Sequence, residues 1–244
     1  MNKTKIQWTE QTWNPITGCS KISDGCANCY AARMAKRLKA MGNPRYKNEF
    51  EVAMHSDLYD VPLKIKTPKM IFVNSMSDLF HEDVPDEDIM QIFDTMNKAF
   101  WHTFQVLTKR PERVLKMDNS GVLTWSNNIW MGTTVENNKY LHRIDSLRQT
   151  KAYVKFLSCE PLLGSLVNMD LDGIDWVIVG GESGPHSREM KEKWALDIKD
   201  MCRNYNIPFF FKQWGGINKK KTGRLLQGKI YDEVPVRFYR PKEE

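Results

Sequence analysis

Three cysteines, Cys19, Cys26 and Cys29, fall within eleven residues and are followed at once by Tyr30 and a helix-like run. Thiolates at this density suit a metal ion or an iron-sulfur cluster better than a disulfide pair, and three ligands leave one coordination position open. An open position can bind and polarise a substrate or cofactor, whereas a closed four-thiolate site is structural or carries electrons. Five cysteines form an odd set, and a chain of 244 residues can stabilise itself by burial, so a reducing compartment is expected rather than a secreted disulfide framework. Near the N-terminus Lys3, Lys5, Gln7 and Glu10 interrupt the apolar residues. Neither a signal peptide nor a membrane span is expected, and the expected location is cytoplasmic.

Short β-rich runs alternate with amphipathic helical runs, the pattern of crossover units around a parallel sheet. Seven strands are expected: Thr12 to Ile16, Met70 to Asn74, Phe104 to Leu107, Ile129 to Thr133, Tyr153 to Leu157, Trp176 to Val179 and Phe209 to Lys212. Helices are expected at Cys29 to Met41, Asp86 to Ala99, Pro111 to Lys116, Lys139 to Leu147 and Lys193 to Tyr205. The expected fold is α/β, a partial or full (β/α) barrel of six to seven parallel strands over residues 1–215, followed by a basic C-terminal extension, 216–244. No repeats or low-complexity tracts interrupt it.

Active sites of parallel α/β folds gather at the C-terminal ends of strands, and here every such end is polar. The first leads into the cysteine loop, the second into Asn74, Ser75, Ser77 and Asp78, and the third into Thr108, Lys109 and Arg110. The fourth leads into Thr133, Thr134 and Glu136, and the fifth into Ser158, Cys159 and Glu160. The sixth ends in Gly180, Gly181, Glu182 and Ser183, the seventh in Lys212, Gln213 and Trp214. Candidate catalytic groups are Lys109, Arg110, Glu160 and Lys212, with His186 and Arg188 as further partners for phosphate or carboxylate groups. Cys202, within an amphipathic run, reads as a small buried apolar residue.

The net charge of +6 is uneven. From Lys212 to the end, nine Lys or Arg face four Asp or Glu, which accounts for five of the six surplus charges. Lys219, Lys220, Lys221, Arg224, Lys229, Arg237 and Arg240 are interleaved with Tyr231, Phe238 and Tyr239, a mixture suited to phosphate contact and base stacking. A solvated extension fits the same composition. A second basic stretch, Arg33 to Lys47, follows the cysteines and could equally coat a helix.

The triad ending in Cys-x-x-Cys and an aromatic, after the first strand, resembles the radical S-adenosylmethionine superfamily. Six residues separate Cys19 from Cys26, where that superfamily places three. More closely, the chain resembles the phage and bacterial three-Cys-motif family of unknown function. The likeness runs through Trp8-Thr9-Glu10, Thr12-Trp13-Asn14-Pro15, Thr17-Gly18-Cys19, Gly25-Cys26 and Cys29-Tyr30. It continues through Asn74 to Phe80, Leu107 to Arg110, Glu160 to Gly164, Gly180 to Gly184 and Phe211 to Gly215. Two of these blocks are also similar to strand ends of the spore photoproduct lyase-like branch.

The resemblance implies a 4Fe-4S cluster on Cys19, Cys26 and Cys29 with S-adenosylmethionine at the unique iron, reduced by an electron donor to yield a 5'-deoxyadenosyl radical. By the same analogy Ser75, Ser77 and Asp78, with Asn74, would meet the cofactor amine, Thr133 and Glu136 its ribose or carboxylate, and Tyr30 the adenine. The superfamily's Gly-Gly-Glu block follows its second strand. Here Gly180-Gly181-Glu182 follows the sixth, where it either admits cofactor or substrate closely or forms a tight turn. Three functions are compatible with these residues. The first is a radical S-adenosylmethionine enzyme modifying or repairing a nucleic acid or nucleotide-like substrate. The second is a zinc-bound nucleic-acid-binding module completed by a histidine such as His55 or His81. The third is a non-catalytic iron-sulfur redox or sensing protein.

Overall fold

The computed structural model describes residues 2–4 and 6–235. Seven parallel strands form one sheet in chain order: β1 (Gln11–Trp13), β2 (Met70–Val73), β3 (Thr103–Thr108), β4 (Ile129–Thr134), β5 (Val154–Cys159), β6 (Trp176–Gly180) and β7 (Phe209–Gln213). Each pairs in parallel with the next, and β7 does not return to β1, so the barrel is partial. Both open edges carry a short antiparallel cover. Asn2–Lys3 pairs with β1, and Asp232 bridges Phe210 of β7. Such covers keep an exposed edge from recruiting other strands.

Among the described residues five helices are longer than one turn, α1 (Tyr30–Ala40), α2 (Asp86–Lys98), α3 (Pro111–Asn119), α4 (His142–Arg148) and α5 (Glu192–Asn204), and a single turn follows at Lys219–Thr222. In α2, Ile89, Ile92, Phe93 and Met96 recur at helical spacing and are buried, while Asp86, Glu87 and Asp88 occupy the first turn, where acidic groups complement the helix dipole. The connection from β5 to β6 has no helix. Leu162, Leu166, Met169, Leu171 and Ile174 cover the sheet there instead. Among the described residues no helix is long and apolar enough to cross a membrane.

The first strand is shorter than the expected Thr12 to Ile16. Pro15 has no N–H to contribute to a ladder, so the run breaks into β1 and the separate pair Ile16–Thr17, which joins Ala53–Met54 in antiparallel fashion. The basic stretch beyond residue 215 returns to the sheet. Leu226 is fully buried, Phe211 N–H donates to the Tyr231 carbonyl, and Trp176 Nε1 donates to the Glu233 carbonyl at 2.8 Å. Arg237, Phe238, Tyr239 and Arg240 lie outside the described residues.

Side chains alternate across the sheet. One face packs against the helices as the main core. The concave face holds Trp8, Trp130, Phe156, Trp176 and Phe210, with Trp176 edge-on to Trp8, Trp130 and Phe210 at 6.3, 6.1 and 6.0 Å. Each buried aromatic there contributes on the order of 2 kcal/mol. Along the same inward positions, large groups at the strand starts give way to Thr134, Ser158, Gly180 and Lys212 at the ends. The barrel is thereby plugged at one end and polar at the other.

Gly132 makes room for this plug, since a Cβ there would lie 2.5 Å from the Phe156 ring. Gly132→Ala is expected to cost about 1–3 kcal/mol in urea denaturation, and Phe156→Leu in the same chain should recover part of it.

Candidate active site

The cysteine loop leaves β1 and lies across the polar end of the sheet. Its entry is fixed by backbone. Gly18 N–H donates to the Met76 carbonyl and Cys19 N–H to the Phe50 carbonyl. Gly18 has φ +86°, and a Cβ there would lie 2.0 Å from the Glu51 carbonyl oxygen, so only glycine fits. Residues after β2 hold the same entry. The Ser75 hydroxyl donates to Asn14 Oδ1 at 3.1 Å, the Ser77 hydroxyl to the Ile16 carbonyl at 2.9 Å, and Ile16 N–H to Asn74 Oδ1 at 3.3 Å.

Three buried carboxylates from three other strand ends then grip the loop, Asp78 through Arg110, Glu136 directly, and Glu182 both directly and through Arg188. Asp78, after β2, accepts from Thr108 Oγ1, Lys109 N–H and Arg110 Nη1 at 2.6, 3.0 and 3.1 Å. Arg110, so aimed, donates to Ser20 Oγ at 2.9 Å and to Cys19 Sγ at 3.7 Å, and pairs with Glu82 at 2.8 Å. His81 joins here: Asp83 N–H donates to its Nδ1 and Ser20 N–H to its Nε2, both at 3.1 Å, and Ser20 Oγ lies 2.7 Å from the same Nε2. Burial, followed by the charge of Asp78, raises the Cys19 thiol to about 11 against the opposing pull of Arg110.

Glu136, after β4, is fully buried and accepts from the Ser23 hydroxyl and from Arg143 Nη1 at 3.0 Å, with Lys109 Nζ at 4.0 Å. The loop touches it so closely that a Cβ on Gly25 would lie 2.5 Å from Glu136 Oε1. Burial pushes the Cys26 thiol up, yet the Lys109 charge and the Ser23 hydroxyl outweigh it and hold Cys26 below its ordinary value. The two thiols are thus tuned in opposite directions.

Glu182, after β6, accepts from Asn28 Nδ2 at 3.0 Å and from Arg188 N–H and Nε at 2.9 Å. Arg188 also donates to the Asp24 carbonyl at 3.0 Å, and Arg33 of α1 to the Ser183 carbonyl at 2.9 Å. Burial favours the neutral acid, but Arg188 and Asn28 prevail and bring the Glu182 carboxyl down to about 2. Gly180 and Gly181 do not take positive φ. They serve close approach: a Cβ on Gly181 would lie 1.9 Å from the Trp214 carbonyl oxygen, and one on Gly180 would lie 3.3 Å from the Glu160 carboxyl carbon. Over Gly180, Lys212 Nζ donates to both Glu160 oxygens at 2.7 and 2.8 Å.

The expected site residues therefore do gather at one end, most of them around the loop. Thr133 is fully buried and donates to the Thr108 carbonyl, on the helix side of the sheet. Cys159 and Cys202 lie in the main core, where burial raises both thiols. His55 bonds Thr17 Oγ1 at 2.9 Å. Tyr30 is 61% exposed at the loop's end. Sequence reasoning missed Ser20, Ser23 and Asn28 as the loop's own contacts with the strand ends, and Arg143 as the partner of Glu136. Nothing in local spacing marks them, because their partners lie from 61 to 154 residues away, apart from Arg143, which is seven residues from Glu136.

A cleft of about 510 Å³ opens beside the loop between Ile22, Lys109, Arg110, Arg113, Tyr140 and Arg143. A wider hollow of about 890 Å³ reaches Cys19, Ser20 and His81 from the side of residues 47–52. The donor set suits a thiolate-ligated group. Cys19, Cys26 and Cys29 are free, half-buried thiols on one loop, with Arg110 and Lys109 beside the first two. Among the described residues no three His, Cys, Asp or Glu side chains stand around one metal position. Two buried polar atoms at strand ends, Asn74 Nδ2 and Gln213 Oε1, have no hydrogen-bond partner among the described residues and could meet a polar ligand.

In the metal-free protein Cys26 is expected to alkylate at lower pH than Cys19, and Lys109→Met should move the Cys26 profile upward; residue-resolved iodoacetamide labelling against pH checks both. Glu182 contributes stability that is fully present above its unfolded value of 4.5 and is lost as pH falls towards about 2. The gap in denaturation midpoint between the wild type and Glu182→Gln should accordingly narrow from pH 5.5 to pH 3.

No curated protein and no solved structure matches the chain. Residues 3–235 match the family described as "Protein of unknown function (DUF5131)". A match over nearly the full length, carrying the cysteine loop and every strand end that grips it, makes the chain a member of that family.

Proposed function

We propose that the chain is a radical S-adenosylmethionine enzyme acting on a nucleic acid or nucleotide-like substrate. The observation that carries the proposal is the loop itself: three free thiols after the first strand of a partial parallel barrel, held from several strand ends. Cys19, Cys26 and Cys29 would hold a 4Fe-4S cluster. With S-adenosylmethionine bound, such a cluster would supply one-electron reductive cleavage of that cofactor, the electron coming from an external donor, and with it the means to take one hydrogen atom from a substrate.

The chain's own residues do the rest. Lys109 and Arg110 offset thiolate charge beside Cys26 and Cys19. Asn74 Nδ2 and Gln213 Oε1, unpartnered among the described residues, offer a donor and an acceptor to the cofactor's polar end. Ser75, Ser77, Asp78, Thr133, Glu136 and Glu182 serve by holding the loop and the strand ends, their polar atoms being engaged there. Glu160 and Lys212, paired above Gly180, present an acid and a base on the inward face, where a substrate proton can be held.

Anaerobic reconstitution should give iron and sulfide without zinc, and dithionite with S-adenosylmethionine should then yield 5'-deoxyadenosine, abolished by Cys26→Ala. Zinc in place of iron would support a structural module. A fully loaded, reduced cluster that neither binds nor cleaves the cofactor would sink the proposal.

A further inference from the structure

The loop formed by residues 215–223 stands at the same end of the sheet as the cysteines. Gly216 N–H donates to the Glu182 carbonyl, and Gly184 N–H donates to the Gly216 carbonyl, so it is tied to the strand end that holds Asn28 and Arg33. Its two ends are pinned together. Trp214 N–H donates to the Gly223 carbonyl, Trp214 Nε1 to the Leu225 carbonyl at 2.8 Å, and Thr222 Oγ1 to the Gly215 carbonyl at 2.6 Å. The loop is therefore built rather than slack.

What it presents is unusual for a solvated turn. Ile217 is 81% exposed, and the short helix Lys219–Thr222 that follows is three lysines and a threonine. Across Ser183, α1 begins with exposed Tyr30 and continues with exposed Lys36 and Arg37. Lys36, Arg37 and Lys221 make no ion pair among the described residues, and no acidic residue occurs between Cys29 and Glu49. Unpaired cations beside an exposed aromatic and an exposed aliphatic group match a backbone-tracking surface with stacking positions for bases.

We infer that the 215–223 loop and the start of α1 form a single-stranded nucleic-acid surface that delivers one nucleotide to the polar end of the barrel. The inference rests on the proposed substrate class and specifies its form. A single strand is favoured because stacking on Tyr30, and apolar contact with Ile217, require base faces that are not already covered in a duplex, and a group recessed at the strand ends meets a base only once it is unstacked.

The test is fluorescence anisotropy of the full chain, without metal, on a labelled 15-mer oligonucleotide of mixed sequence, single-stranded or duplex, over a salt series. The single strand should bind more tightly than the duplex. Replacing Lys219, Lys220 and Lys221 by Ala should flatten the log–log salt slope by about 2, whereas Tyr30→Ala should weaken binding roughly tenfold with the slope unchanged. Arg203→Ala, at the far end of α5, controls for net charge and should leave both readings in place, with circular dichroism confirming that each variant folds. Duplex preference, an unchanged slope in the lysine variant, or binding only to vesicles containing anionic lipid would overturn the inference. Cofactor cleavage without oligonucleotide binding would remove this surface and leave the enzymatic reading standing. Oligonucleotide binding without cofactor cleavage would do the reverse.

Discussion

Everything at the polar end of this protein depends on three buried carboxylates, each paired with an arginine, Asp78–Arg110, Glu136–Arg143 and Glu182–Arg188. An eleven-residue loop with only one short 3-10 turn cannot fix three thiols by itself. Each pair brings a charge out of water at a cost, and each repays it by using its remaining hydrogen-bond capacity on the loop. Arg110 reaches Ser20 and Cys19, Glu136 reaches Ser23, and Glu182 reaches Asn28. Removing one partner from such a pair strands the other, a loss of about 3–5 kcal/mol in buried cases.

The fold was largely legible because it rests on signals of short range. Continuous apolar runs of four to six residues, alternating with amphipathic stretches opened by Pro85 and Pro111, were enough to order the seven strands. What failed was local geometry at Asn14-Pro15, where a missing N–H ended the first strand early. The site was legible as a set of places and less so as a set of partners. Asp78, Glu136 and Glu182 stand out at strand ends, but periodicity cannot tell that their carboxylates are consumed by loop contacts. The glycine blocks were similarly half-readable: Gly25, Gly181 and Gly184 stand where a Cβ would strike Glu136, Trp214 or Arg33, contacts that only the assembled sheet creates.

Charge is divided by depth. Buried arginines are matched with carboxylates around the loop, Arg110 with two of them, while Lys36, Arg37 and Lys221 are exposed at the rim and make no ion pair among the described residues. At the thiols, burial and Asp78 raise Cys19 against the pull of Arg110, while Lys109 and the Ser23 hydroxyl overcome burial and hold Cys26 down. The rim set acts on whatever approaches, and salt screens it far more strongly than the buried pairs.

The loop's fastenings also impose an order in time. The thiols are synthesised by residue 29, yet Asn28 bonds a carboxylate 154 residues later and Asp24 an arginine 164 residues later. Until the chain has emerged past Arg188, the three cysteines have no finished seat. Contacts of such sequence separation form late in folding. The nascent protein thus carries its most reactive groups first and the means of restraining them last, so any iron or zinc captured in that interval meets a flexible thiol-rich peptide before it meets a site.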